Sequence, residues 1–311
     1  MRKRRAEQHS RRRGTVVRSG VAACCEAGLV SRVRIAVATE VMLLLGLCAF
    51  LAAAFLVERG AGLEGAVRLG PIGQLAFASL PALLWLGYFR AQDSQESEPR
   101  PLVFLLFLAG ALVAGPAADL AVQLALAPDV AAAPEFDRLS PERLVAAFLV
   151  VAVAQELAIY LVVRYSVYPM AEIAQPIDGL IYTTAVALGF AAFRSHQYLG
   201  ALKGEVILSV GAARVASFTL AHASFAAVLG LAIGWAKFSP WGPIKRGLVL
   251  VGGLTAAVWL DGLFSAVESA IAAPGLGFSP WRAVAFAFGF AVAVFIAISL
   301  PLRKLTARVA G

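Results

Sequence analysis

The chain has no segment of alternating apolar and polar residues, no cysteine pattern and no internal repeat. Each absence closes a class. Without period-two alternation there is no signature of an outer-membrane barrel. The three cysteines, Cys24, Cys25 and Cys48, lack metal-ligand spacing, and the adjacent pair cannot easily bridge. The sequence Val21-Ala22-Ala23-Cys24 after Arg11-Arg12 has the look of a lipoprotein signal, but Arg18 interrupts its apolar stretch, and it is read as coincidence. Without repeats or paired broken helices, a transporter built from inverted halves has little support. Charge is scarce too. Residues 1–34 hold ten Arg and Lys against Glu7 and Glu26, which accounts for the whole net charge of +8. The other 277 residues balance at 17 against 17.

What is abundant is apolar surface. Of 311 residues 60% are hydrophobic, and the mean hydropathy is +0.80. A soluble globular chain carries roughly half apolar residues. Apolar runs of about 20 residues, the length that spans a bilayer, recur along nearly the whole chain. The expected fold is all-α, a polytopic membrane helix bundle of about eight transmembrane helices. They are placed at about 35–57, 70–89, 101–127, 143–166, 177–198, 212–236, 247–270 and 282–302. No room is left for a soluble domain of ordinary size. Residues 1–34 are expected to be a disordered cytoplasmic arm that meets anionic lipid headgroups and no nucleic acid. Residues 303–311 are expected to be a basic tail. The positive-inside rule then puts both termini in the cytoplasm and the acidic loop 128–142 outside. The expected setting is a bacterial inner membrane, crossed many times. Residues 199–213, Gly-rich and half apolar, are open to three readings: a loop, a re-entrant piece or an interfacial helix.

Four ionisable residues stand within or at the edge of these runs: Glu156, Arg194, His222 and Asp261. A charge in the bilayer interior costs several kcal/mol unless it is paired, coordinated or hydrated. Gln155 and Glu156 are helix neighbours, about 100° apart, so both can border one cavity. A carboxylate there can ligate a metal, take up a proton or pair with a cation. His222, in Leu220-Ala221-His222-Ala223-Ser224, is either a core residue with one interhelical hydrogen bond or a metal ligand. Gly230 and Gly234 mark a face that another helix can approach closely. Pro176 and Asp178 suit a helix start. Arg194 lies near the far end of its span, where it can snorkel to the interface.

The order of these motifs resembles the PrsW-type intramembrane metalloproteases, of the superfamily that includes the CAAX prenyl proteases and bacterial immunity-type membrane proteases. The resemblance covers about residues 70–270. A Pro-x-x-x-Trp span is matched by Pro81-Ala82-Leu83-Leu84-Trp85, and an acidic loop ending Glu-Pro by Asp93 with Glu98-Pro99. A Glu-Glu-x-x-Lys motif stands here as Gln155-Glu156-Leu157-Ala158-Ile159. Pro176-Ile177-Asp178-Gly179 matches Pro-x-Asp-Gly in full. Gly189-Phe190 matches the start of Gly-Phe-x-x-x-Glu-Asn, whose last two positions are Arg194-Ser195. His222 matches the first of two His motifs, and Asp261 takes the place of the second His.

The resemblance implies catalytic positions that hold a metal or activate water within the bilayer. Glu156 and His222 are retained there, while Gln155, Arg194, Ser195 and Asp261 are substitutions. The leading expectation is therefore a pseudo-protease that binds membrane partners, such as a single-span protein, with no cofactor. Arg194 is expected to pair with Glu156 or Asp261, with His222 as a hydrogen-bonding partner. The alternative is an active metalloendopeptidase that cleaves a membrane-anchored regulator, with zinc or another divalent metal on Glu156, His222 and Asp261. A small transporter-like bundle is the second alternative.

Overall fold

The computed structural model describes residues 45–62, 65–92, 100–126, 147–272 and 280–309. The basic arm 1–34 and the acidic loop 128–142 lie outside the described residues, as do Asp93 and Glu98-Pro99. Packing divides the chain after Leu45, and the account below concerns the unit that follows.

Helix α1 covers residues 45–60 and is followed by strand β1 (Val67–Arg68) and α2 (Pro71–Gln92). α3 (Arg100–Ala109) runs through a π-helical turn (Gly110–Ala114) into α4 (Gly115–Ala125). A second π turn (Ala147–Ala152) leads into α5 (Val153–Tyr165). Then come α6 (Pro176–Ala201), β2 (Glu205–Val206), α7 (Leu208–Phe238), α8 (Pro243–Ala272) and α9 (Pro280–Val309). Among the described residues, each expected span coincides with a helical stretch. Four are long and apolar enough to cross a membrane: Pro101–Ala125, Pro176–Ala201, Leu208–Phe238 and Pro243–Glu268. Pro71–Gly87 and Trp281–Val294 are shorter apolar helices. The protein is thus a helical bundle with several membrane-spanning segments. α9 continues through the basic residues expected to form a tail.

Burial shows which helices are central. The apolar windows of α6 and α7 are 72% and 83% buried, against 33% for Pro101–Ala125 and 28% for α8. α7 packs on α6, α8 and α9, while α6 also contacts α2, α3 and α5. Small residues allow this closeness. A Cβ on Gly230 would lie 2.6 Å from the Gly179 carbonyl oxygen, and a Cβ on Gly179 would lie 2.7 Å from that of Gly230. Gly189 and Gly110 play the same part between α6 and α3: a Cβ on either would run into the other helix's backbone, at Phe107 and Val186 respectively. Without bulk at these positions, backbones meet and dispersion contacts accumulate.

The Pro-x-Asp-Gly segment starts α6 for identifiable reasons. Pro176 sits where its missing N–H costs nothing. The Asp178 carboxylate accepts hydrogen bonds from the amides of Ala174 (2.7 Å) and Gln175 (2.6 Å), and Gly179 provides the close approach to α7. At the other end of α6, residues 199–201 complete that helix and 208–213 open α7, so within 199–213 only a tight connection with one short strand is non-helical. Lys203 and Gly204 adopt left-handed backbone angles, φ 54° and 77°. They turn the chain into β2, which pairs antiparallel with β1 as Val67 with Val206 and Arg68 with Glu205. The start of α7 has no local side-chain cap. The Glu58 carboxylate reaches across from α1 to accept from the Ser209 amide at 2.8 Å, placing a negative group where the helix dipole favours one.

Candidate intramembrane site

α5 carries Gln155 and Glu156 just after the π turn, and both side chains are buried, Glu156 completely. α8 packs across that π turn and α5, which brings Asp261 toward them. The Glu156 and Asp261 carboxylates are close enough for their charges to act on one another. Neither Glu156 oxygen has a hydrogen-bond partner among the described residues, and Oδ2 of Asp261 has none. Oδ1 of Asp261 faces the Ser265 hydroxyl at 3.4 Å, long for an O–H donor. The bundle interior thus holds two buried acids on packed helices, neither ion-paired to a described residue.

His222, on α7, lies among aromatic rings. Its ring is edge-on to Phe190 at 5.1 Å and to Phe225 at 5.5 Å, and is tilted against Phe218 at 6.4 Å. Nδ1 is buried without a partner, so the expected hydrogen bond is not made by that atom. Phe190 belongs to the Gly189-Phe190 motif: the glycine brings α6 against α3, and the phenylalanine braces the histidine. From Phe225 the contacts continue to Phe264 and Phe290, which tie α7 to α8 and α9.

Arg194 does not pair with Glu156 or Asp261. Its Nη1 lies 3.1 Å from Oδ1 of Asp119 on α4 and 3.1 Å from the Gln197 amide oxygen, and Gln197 also donates to Asp119. The reason is position. Arg194 stands toward the end of α6, one helical turn before Gln197, and its side chain keeps 33% of its surface exposed. Even so, its charge still acts on His222 and Asp261. Ser195 beside it is fully buried, with an unpartnered hydroxyl.

Among the ionisable residues of the apolar runs that were not singled out from sequence are Asp119, Arg214 and Glu268. Nη1 of Arg214 on α7 pairs with Glu268 on α8 at 2.8 Å, and its guanidinium lies over the Phe218 ring at 4.4 Å. The signal that marked the first four, a lone charge in an apolar run, marks these as well.

The family resemblance raises the question of a metal. Glu156, Asp261 and His222 offer competent donor atoms, of which both Glu156 oxygens, Oδ2 of Asp261 and Nδ1 of His222 are buried and unpartnered among the described residues. Among the described residues, however, no group of three His, Cys, Asp or Glu side chains is arranged to hold a metal ion. Catalytic zinc sites use about three protein ligands. Among the described residues such a set is not assembled.

Fold and site together define a polytopic membrane protein with two acids, Glu156 and Asp261, and a histidine, His222, buried within its helices. The model of the PrsW family of intramembrane metalloproteases matches residues 98–300, and the chain belongs to that family. Curated relatives include Protease PrsW of Geobacillus kaustophilus, 33% identical over 159 residues, which cover 51% of this chain and 64% of the relative. The Shouchella clausii protein of the same name is 28% identical over 165 residues, covering 53% and 70%. That of Bacillus subtilis is 26% identical over 165 residues, covering 51% and 66%. The chain thus spans roughly two thirds of the length of the relatives it matches. No solved structure matches it.

Proposed function

We propose that this PrsW-family membrane protein is a pseudo-protease, one that acts by binding other membrane proteins rather than by cutting them. The observation that carries the reading is the packing of His222. Its ring is braced by Phe190, Phe218 and Phe225, while the two facing carboxylates belong to α5 and α8. Supporting it is Arg194, which stands where the family pattern has Glu. A fixed cation whose field reaches His222 and Asp261 opposes the binding of a second cation. The outward apolar surfaces of Pro101–Ala125 and α8 are available to lipid or to another span.

The test uses purified full-length protein in nanodiscs together with a single-span reporter. The proposal expects the reporter to be retained and uncut. Cleavage that is lost on Glu156→Gln overturns it.

One observation favours the runner-up, an active protease with an altered Glu156, His222 and Asp261 set. Asp119 pairs with Arg194, and both Glu156 oxygens, Oδ2 of Asp261 and Nδ1 of His222 stay unpartnered among the described residues. That reading expects divalent metal to co-purify and to be lost when any one of the three is replaced.

A further inference from the structure

Away from the interior cluster, the end of the bundle where α5 and α7 finish and α8 begins gathers basic side chains around a tyrosine. The Arg164 guanidinium lies over the Tyr168 ring at 4.2 Å from its centroid, and Nζ of Lys237 lies over the same ring at 5.5 Å. The two charges therefore stand within ~10 Å of one another, about a Debye length. Lys237 is held in place, since its ammonium donates to the carbonyl oxygens of Tyr168 (2.8 Å) and Met170 (2.7 Å). Arg246, in the first turn of α8, donates to the Ser239 carbonyl at 3.1 Å, two residues beyond Lys237. Lys245 beside it is exposed.

The acids facing this group are Glu172 and Asp178. The Asp178 carboxylate is engaged by two backbone amides of the α6 start. Arg164 and Lys237 thus share the Tyr168 ring, Lys245 and Arg246 follow Lys237 closely in the chain, and Glu172 is the exposed one of the two acids acting on Lys237. Like charges held so close repel, and an anion placed among them removes that cost.

We propose that this end of the bundle binds the phosphate headgroup of an anionic phospholipid. The surrounding surface selects lipid over free phosphate. Tyr165, Phe238, Trp241 and Ile244 are exposed beside the cations, an arrangement of aromatic and aliphatic side chains next to basic ones that suits the membrane interface. Through Lys237 the site also ties the α5–α6 connection to α7, so the occupied headgroup braces the helix that carries Glu156. The proposal stands on its own observations and does not depend on whether the interior cluster is catalytic.

Native mass spectrometry of the full chain in micelles tests it, with phosphatidylglycerol, phosphatidylcholine and inorganic phosphate as probes. Phosphatidylglycerol should bind in preference to phosphatidylcholine. Arg164→Gln and Arg246→Gln should each weaken that binding by about fivefold, with phosphatidylcholine unaffected. Arg282→Gln, at the start of α9 after the chain has crossed the bundle, should leave it unchanged. Lys245 and Arg246 are exposed, so replacing them spares the fold, and Lys245→Gln serves as the second variant. The proposal is overturned by equal phosphatidylglycerol binding in wild type and these variants. It is also overturned by an equal loss in Arg282→Gln, or by inorganic phosphate displacing the lipid.

Discussion

Arg214 and Glu268 meet across α7 and α8 as opposite charges, 2.8 Å apart; Glu156 and Asp261, on α5 and α8, are two buried acids not ion-paired to any described residue. The same apolar bundle thus treats two pairs of buried charges in opposite ways. The first pair is self-sufficient, and its account is structural: each charge exists because the other is there. The second pair offsets nothing by itself, because each carboxylate raises the cost of ionising the other. A carboxylate at this depth needs a proton, a cation or water. The contrast separates charges that hold the bundle together from charges that belong to its site.

Breaking the first pair should have the largest effect. Glu268→Ala leaves the Arg214 cation in a buried setting without its carboxylate. The loss should be about 3 kcal/mol, read by thermal or denaturant unfolding in detergent. Next in size is Gly189→Ala, whose Cβ enters the Phe107 backbone and forces α6 away from α3. About 2 kcal/mol should be lost. Gly252→Ala, on open α8 surface, should be neutral or slightly stabilising in the same assay. The Arg194–Asp119 pair is partly exposed, 33% and 21%, so Asp119→Asn should cost no more than about 1 kcal/mol. Smallest of all is Glu156→Gln, which removes one of the two facing acids and should leave stability unchanged or slightly raised. A large loss there would mean that a cation had been holding the pair, and the contrast with Arg214–Glu268 would collapse.

Much of this fold was legible in the sequence because hydropathy is a local property. Runs of apolar residues located the helices, and the cap chemistry of Pro176 and Asp178 located the start of α6. Gly230 marked the close face of α7. The partner of Arg194 was not legible, since it depends on which helix lies beside α6 at that depth. Periodicity gives the face of a helix but not its neighbour, and Asp119 is 75 residues away in the chain. The setting of His222 escaped for the same reason, because Phe218 and Phe225 are near in sequence but Phe190 arrives from another helix. The pairing of Val67–Arg68 with Glu205–Val206 was hidden by its brevity, since two-residue strands leave no periodic signal.

The proposed pseudo-protease reading turns on whether Glu156, His222 and Asp261 hold a catalytic metal. Elemental analysis of the full-length protein tests it most directly, on material purified without chelator and compared with Glu156→Gln. The account predicts that wild type carries no stoichiometric divalent metal and that the two proteins are indistinguishable. One metal ion per chain in wild type, lost in Glu156→Gln, would contradict it.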